Sequence, residues 1–158
     1  MLFSIDVKLT VPPRSAPRLL LPDSSKIGFA IALYHIEIKY GDMGPTYTLH
    51  LENLFDKLFT GPTLNHHIMK KEWSAAIQGL TKFEQPVGAS SWTILLSDCR
   101  SLSYARRMRD SSSRLFQEAC FISSFANVIF GFRPGNYVGL SDSLTRQYAN
   151  STMNFQQK

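Results

Sequence analysis

Two runs of alternating residues, joined by a glycine-bracketed turn, constrain this chain more than any other feature. From Tyr34 onward, Ile36, Ile38 and Tyr40 alternate with His35, Glu37 and Lys39. After Gly41-Asp42-Met43-Gly44-Pro45, residues Tyr47, Leu49 and Leu51 alternate with Thr46, Thr48 and His50. A period of two marks a strand with one buried face, and two such runs around a glycine-rich turn make a hairpin. Parity then sets the register. To keep both apolar sets on one face, Ile38 must oppose Tyr47 and Ile36 must oppose Leu49, because a slip of one residue turns a whole set outward. The same register puts His35 opposite His50 and Glu37 opposite Thr48 on the polar face.

The remaining segments are shorter. Phe3, Ile5, Val7, Leu9 and Val11 alternate with polar residues and predict a first strand, stopped by Pro12-Pro13. Residues 12–22, rich in proline, read as a loop or extended arm. Ile27 to Leu33 fits either a helix capped by Asp23 or Ser24, or a buried strand. Leu51, Leu54, Phe55, Leu58 and Phe59 have helical spacing and predict a short helix ended by Gly61-Pro62. Trp73, Ala76, Ile77 and Leu80 predict another over 70–83, which Gly79 weakens. Pro86 to Ser91 reads as a linker and Trp92 to Leu96 as a strand. Asp98 or Ser101 then caps a helix carrying Leu102, Ala105 and Met108. A helix over 114–123 follows, then a hairpin of 127–132 and 136–140 around Arg133-Pro134-Gly135. The fold class is α+β: a single domain over residues 1–141, with a twisted antiparallel sheet packed against short helices, and a polar tail over 142–158.

Composition narrows the function. A chain of 158 residues, 44% hydrophobic and 18% charged, builds a core and is neither disordered nor fibrous. No apolar stretch is long enough for a membrane-spanning helix, and Asp6 and Lys8 interrupt any secretory signal. Cys99 and Cys120 lack metal or redox spacing and read as reduced core thiols, which suits a cytosolic compartment. No nucleophile elbow, phosphate-binding loop or H-E-x-x-H pair is present, so no catalytic residue, cofactor or small-molecule substrate is expected. His35, His50 and Glu37 converge, but three ligands fall short of a closed zinc site, and they read as a solvated sheet face with no metal.

Charge is the sharper signal. The chain has 17 Lys and Arg against 12 Asp and Glu. Arg100, Arg106, Arg107, Arg109 and Arg114 share their stretch with one acid, Asp110. Such a cluster attracts phosphates of RNA or of an anionic membrane surface, with Lys70 and Lys71 adding to it. Pro12, Pro13, Arg14, Pro17 and Arg18 form a stiff arm suited to docking on a neighbouring copy.

A first strand leads to a Pro/Arg segment and the apolar stretch Ile27 to Tyr40. Then come Trp92-Thr93-Ile94-Leu95-Leu96-Ser97-Asp98, Ser111-Ser112-Ser113-Arg114-Leu115-Phe116 and Phe130-Gly131-Phe132. In this order of features the chain resembles the globular core of rhabdovirus matrix proteins, and in size and basic balance the short ones of plant-infecting members. The resemblance implies a non-enzymatic structural protein that self-associates, condenses a nucleocapsid and contacts anionic membrane. It would sit in the virion and the host cytoplasm as a peripheral membrane protein. A small basic RNA-binding module, such as a viral silencing suppressor, is the alternative.

Overall fold

The alternating runs form two long antiparallel strands, β3 (Gly28–Gly41) and β4 (Gly44–Leu58). Their register is the one parity requires: Ile38 faces Tyr47, Ile36 faces Leu49, His35 faces His50 and Glu37 faces Thr48. These strands belong to a computed structural model that describes residues 3–6, 11–107 and 114–133. Of the stretch Ile27 to Leu33, Gly28 onward is strand, since Phe29 through Leu33 are all buried and both sheet faces are covered there.

The helix expected after Leu51 is instead the second half of β4. The register slips between Leu33 and Tyr34, which pair with Asn53 and Leu51, so Glu52 is the extra residue of a β-bulge. A bulge reverses side-chain parity. Leu49 and Leu51 therefore share a sheet face with Leu54, while Phe55 packs on the other face. Two buried faces out of phase across a bulge reproduce the spacing of an amphipathic helix.

Strand β2 (Arg18–Ser24) occupies the second half of the segment expected as loop or arm. It runs antiparallel to β3 and parallel to β5 (Thr93–Ser97). Pro22 is tolerated because β5 pairs only with Arg18 to Leu20, so the strand beyond Leu20 has one paired neighbour. Strand β1 (Phe3–Asp6) joins β4, and β6 (Val128–Phe132) joins β5, both in parallel. The described sheet thus has the order β1-β4-β3-β2-β5-β6. The α+β architecture of one sheet with short helices is as the sequence indicates; its centre is antiparallel and its flanks join in parallel. The expected strand over 136–140, Arg109 and the tail over 142–158 lie outside the described residues.

Helices α1 (Ile68–Lys82) and α3 (Arg114–Ser123) fall where periodicity predicts them, and α2 (Glu84–Ala89) occupies part of the expected linker. A 3-10 helix, Arg100–Arg107, replaces the α-helix expected there. Buried Leu102 and Ala105, three apart, eclipse on its inner side. One face of the sheet, with Leu20, Ile31, Leu33 and Leu95, packs against Trp73, Ala76, Leu80, Val87 and Ile122. The opposite face gathers Leu19, Leu21, Ala32, Tyr34, Ile36 and Leu49. No helix among the described residues is long and apolar enough to cross a membrane.

Gly79 lies where α1 packs close against the sheet. A Cβ there would lie 3.1 Å from Cγ2 of Ile31 and 3.4 Å from Cδ2 of Leu20. The residue that weakens the helix by propensity is the one that lets it dock. Gly79→Val should therefore destabilise the protein by about 1–3 kcal/mol in urea unfolding, despite removing a helix-interior glycine. An unchanged midpoint would show that the contact relaxes freely.

Candidate metal-binding carboxylate site

Strands β2 and β5 run side by side in the same direction, with Arg18 beside Thr93 and Leu20 beside Leu95. Each is a buried apolar run that closes on an acid: Leu19-Leu20-Leu21-Pro22 on Asp23, and Ile94-Leu95-Leu96-Ser97 on Asp98. Parallel neighbours with acids at their carboxyl ends bring those acids together, and the carboxyl ends of parallel strands are where α/β sheets hold ligands. Helix α1 supplies a third, Glu72. Among the described residues, Asp23, Glu72 and Asp98 form one group, with a carboxylate oxygen of each within 4.8 Å of the others.

Neighbouring bonds hold the three segments. Ser25 Oγ accepts from the backbone N–H groups of Ile27 and Gly28, tightening the turn that follows Asp23. Lys71, beside Glu72 and 4% exposed, donates from Nζ to the carbonyls of Lys26 and Leu64, at 2.5 and 2.8 Å. That fastens the start of α1 to the same turn. On the other side, the Ser97 hydroxyl accepts from the Cys99 N–H at 3.0 Å, bracketing Asp98.

Glu72 is the unusual member. It is 4% exposed; Oε1 accepts a 2.6 Å hydrogen bond from the Ser24 hydroxyl, and Oε2 is buried with no protein partner. Burial pushes its carboxyl up to about 8; the Ser24 bond opposes that rise, and the charges of Asp98 and Asp23 add to it. A buried acid with an open oxygen, facing two further acids, suits a bound cation. An all-carboxylate oxygen set favours hard divalent ions such as Mg2+ or Mn2+.

Residues 14–125, which include all three acids, match the family model of the RNase H-like domain found in reverse transcriptase. The chain belongs to that family. Solved structures share the RNase H-like fold at low identity. One is the N-terminal RNase H domain of rv2228c from Mycobacterium tuberculosis, solved as a maltose-binding-protein fusion, with TM-score 0.59 and 12% identity over 87% of this chain and 99% of that one. Another is LC11-RNase H1 in complex with an RNA/DNA hybrid, with TM-score 0.57 and 9% identity over 84% and 95% of the two chains. The foamy viral protease-reverse transcriptase in complex with double-stranded DNA is a third, at TM-score 0.55 and 13% identity over 79% of this chain. This chain spans 22% of that longer one. No curated protein sequence matches.

Membership in the RNase H-like family overturns the resemblance to rhabdovirus matrix proteins. With it go the self-associating matrix role, the nucleocapsid and anionic-membrane partners, the virion and peripheral-membrane location, and the silencing-suppressor alternative. Several segments that carried the resemblance are elements of this fold: β2 in the Pro/Arg segment, β3, β5, the start of α3, and β6. The expectation of no catalytic site rested on missing short motifs. This site has none to show, because its acids come from three distant segments that only the parallel β2–β5 pairing and the docking of α1 unite. One local signal was available: Glu72 sits on the apolar stripe of Ala76 and Leu80, an acid on a buried helix face.

The RNase H-like fold places the expected phosphate-binding residues unevenly. Arg100 opens the 3-10 helix just after Asp98; it is exposed, with its guanidinium 5.0 Å from the centre of the Phe132 ring. Arg107 is exposed and 5.9 Å from the Tyr104 ring centre. Lys70 is exposed in the first turn of α1, whereas Lys71 points inward to its two carbonyls. Arg114 pairs with Glu118 at 3.3 Å, one turn along α3. Arg106 lies in the 3-10 helix, and its side chain is outside the described set.

Residues of the expected arm lie against their own sheet. The Pro17 carbonyl accepts from Ile36 N–H at 2.8 Å, and Ser15 O from Ser91 N–H at 3.0 Å. Arg18 is 2% exposed and donates from Nε and Nη2 to the two Glu52 oxygens, and from Nη1 to the carbonyls of Arg14 and Ala16. On the histidine face, His35 and His50 are buried, while Glu37 beside them stays partly exposed. His35 and His50 stack at 4.8 Å, and His50 Nε2 meets Glu37 Oε2 at 2.8 Å. Burial, and then the neighbouring His50, hold the His35 imidazole below its ordinary range.

Proposed function

We propose that this RNase H-like domain is a divalent-cation-dependent nuclease that hydrolyses the RNA strand of an RNA/DNA hybrid. The observation that carries the proposal is the Asp23–Glu72–Asp98 cluster, built around a buried glutamate whose second oxygen has no protein partner. Membership in a reverse-transcriptase RNase H-like family supports the reaction, and a fold shared with a protein solved on an RNA/DNA hybrid supports the substrate. A bound cation would polarise the scissile phosphodiester and lower the pKa of a coordinated water.

The chain's own residues do the holding. Ser24 pins Oε1 of Glu72 by donating a hydrogen bond to it, which leaves Oε2 without a protein partner. Without a cation, Glu72 keeps its proton at neutral pH; charge neutralisation at the cluster releases it. Asp98 is the exposed member of the cluster and opens it to solvent. Arg100, two residues beyond Asp98, and Arg107 further along supply positive charge for the flanking phosphates.

The test uses a hybrid labelled on either strand, with Mg2+ or Mn2+ and with chelator. Cutting of the labelled RNA strand that stops with chelator is expected, and the DNA strand should stay intact. Cutting without a divalent cation, or of neither strand, would contradict the proposal. In the same assay, the double variant Arg100→Gln/Arg107→Gln should weaken hybrid binding and flatten its salt dependence by about one counterion for each lost contact. Turnover of saturating hybrid should survive.

A further inference from the structure

We infer that Trp73 and Ser101 are positioning residues that set the distance between Glu72 and Asp98. The inference rests on reading the three acids as a cation site. Lys71 and Trp73 flank Glu72, and two residues of helix turn the chain by about 200°, so the pair reach opposite sides of α1. Lys71 fastens the helix to the turn after Asp23. Trp73, 1% exposed, donates from Nε1 to Ser101 Oγ at 2.7 Å. Ser101 lies in the segment that leaves Asp98, and its hydroxyl also meets Cys99 Sγ at 3.0 Å. Because the Cys99 N–H is held in turn by Ser97, the backbone on both sides of Asp98 is tied to the helix that carries Glu72. Hydrogen bonds made directly to metal ligands orient them, and losing one costs about tenfold or more in metal affinity. Here the bond acts on the backbone segments that carry the ligands.

A packing role and a positioning role separate when both partners are removed. Ser101→Ala leaves the buried Trp73 Nε1–H without its partner. In a Trp73→Phe background there is no such donor to strand, although the smaller ring leaves its own gap in the core. Metal affinity should behave differently, because the tie is absent in all three variants. Mn2+ binding is measured by calorimetry on the full chain without nucleic acid, alongside urea unfolding. Each single variant should bind Mn2+ about tenfold more weakly. Ser101→Ala should cost less stability in the Trp73→Phe background than in wild type, while the double variant keeps the weakened affinity, and Ser101→Thr, which retains the hydroxyl, should bind as wild type does. A double variant that binds Mn2+ like wild type, or Ser101→Thr binding it as weakly as Ser101→Ala, would overturn the inference. Wild-type protein that takes up no Mn2+ would overturn the cation-site reading itself; wild-type binding matched by the double variant would leave that reading standing and remove only the tie.

Discussion

Glu72→Gln is expected to reduce RNA-strand hydrolysis by about a thousandfold or more, while making the cation-free protein more stable at alkaline pH. The loss follows from taking a charged oxygen out of the cation site, where electrostatic stabilisation is worth several kcal/mol and each 1.36 kcal/mol or so is tenfold in rate. The stability gain follows from linkage. Glu72 holds its proton up to about pH 8 in the folded chain, whereas the unfolded chain releases it near its ordinary value of 4.5. Between those points the folded state binds the extra proton, so wild-type stability is full below the lower value and falls as pH rises, by up to about 1.4 kcal/mol per pH unit. Glutamine carries no such proton. Urea unfolding at pH 5 and pH 9 should therefore show wild type losing stability relative to Glu72→Gln, and saturating Mn2+ should return that loss to wild type only. Parallel pH profiles for the two proteins would show that Glu72 is not held protonated in the fold.

The second large effect lies at the far end of β2. Arg18 and Glu52 form a two-bond ion pair, with Nε to Oε2 at 2.9 Å and Nη2 to Oε1 at 3.2 Å, between side chains 3% and 17% exposed. The bulge makes the pair possible, since Glu52 is the residue that β3 leaves unmatched. Arg18→Met strands a largely buried carboxylate and frees the carbonyls of Arg14 and Ala16. Breaking one side of a buried pair costs about 3–5 kcal/mol. Arg18→Met/Glu52→Met should recover most of that, because two apolar side chains leave no charge stranded. Equal instability of the single and double variants would show that the bonds to Arg14 and Ala16 matter more than the pair.

What the sequence conveyed and what it hid divide along a physical line. The hairpin register was legible because a period of two with one buried face admits a single pairing, and Ile36–Leu49 and Ile38–Tyr47 are the result. Helix α3 was legible for the same kind of reason, a local period. The end of β4 was not, because the bulge at Glu52 reset the phase and gave a strand the spacing of a helix. Strand β2 hid behind its prolines, although Pro22 needs only an unpaired flank to be accommodated. The acids were hardest to see. Asp23 and Asp98 look ordinary alone, and their meaning comes from the parallel pairing of β2 with β5, which no local pattern encodes. The arginines drew attention because charge density is visible along the chain, while a cation site assembled from three distant segments is not.

The central claim is that Asp23, Glu72 and Asp98 hold a divalent cation. Crystals of the full chain soaked in Mn2+ and measured at a wavelength where manganese scatters anomalously test it most directly. A strong anomalous peak bounded by those three carboxylates, absent from crystals of Glu72→Gln, is the expected result. A saturated soak with no peak there, or with manganese only at other acids, would contradict the account.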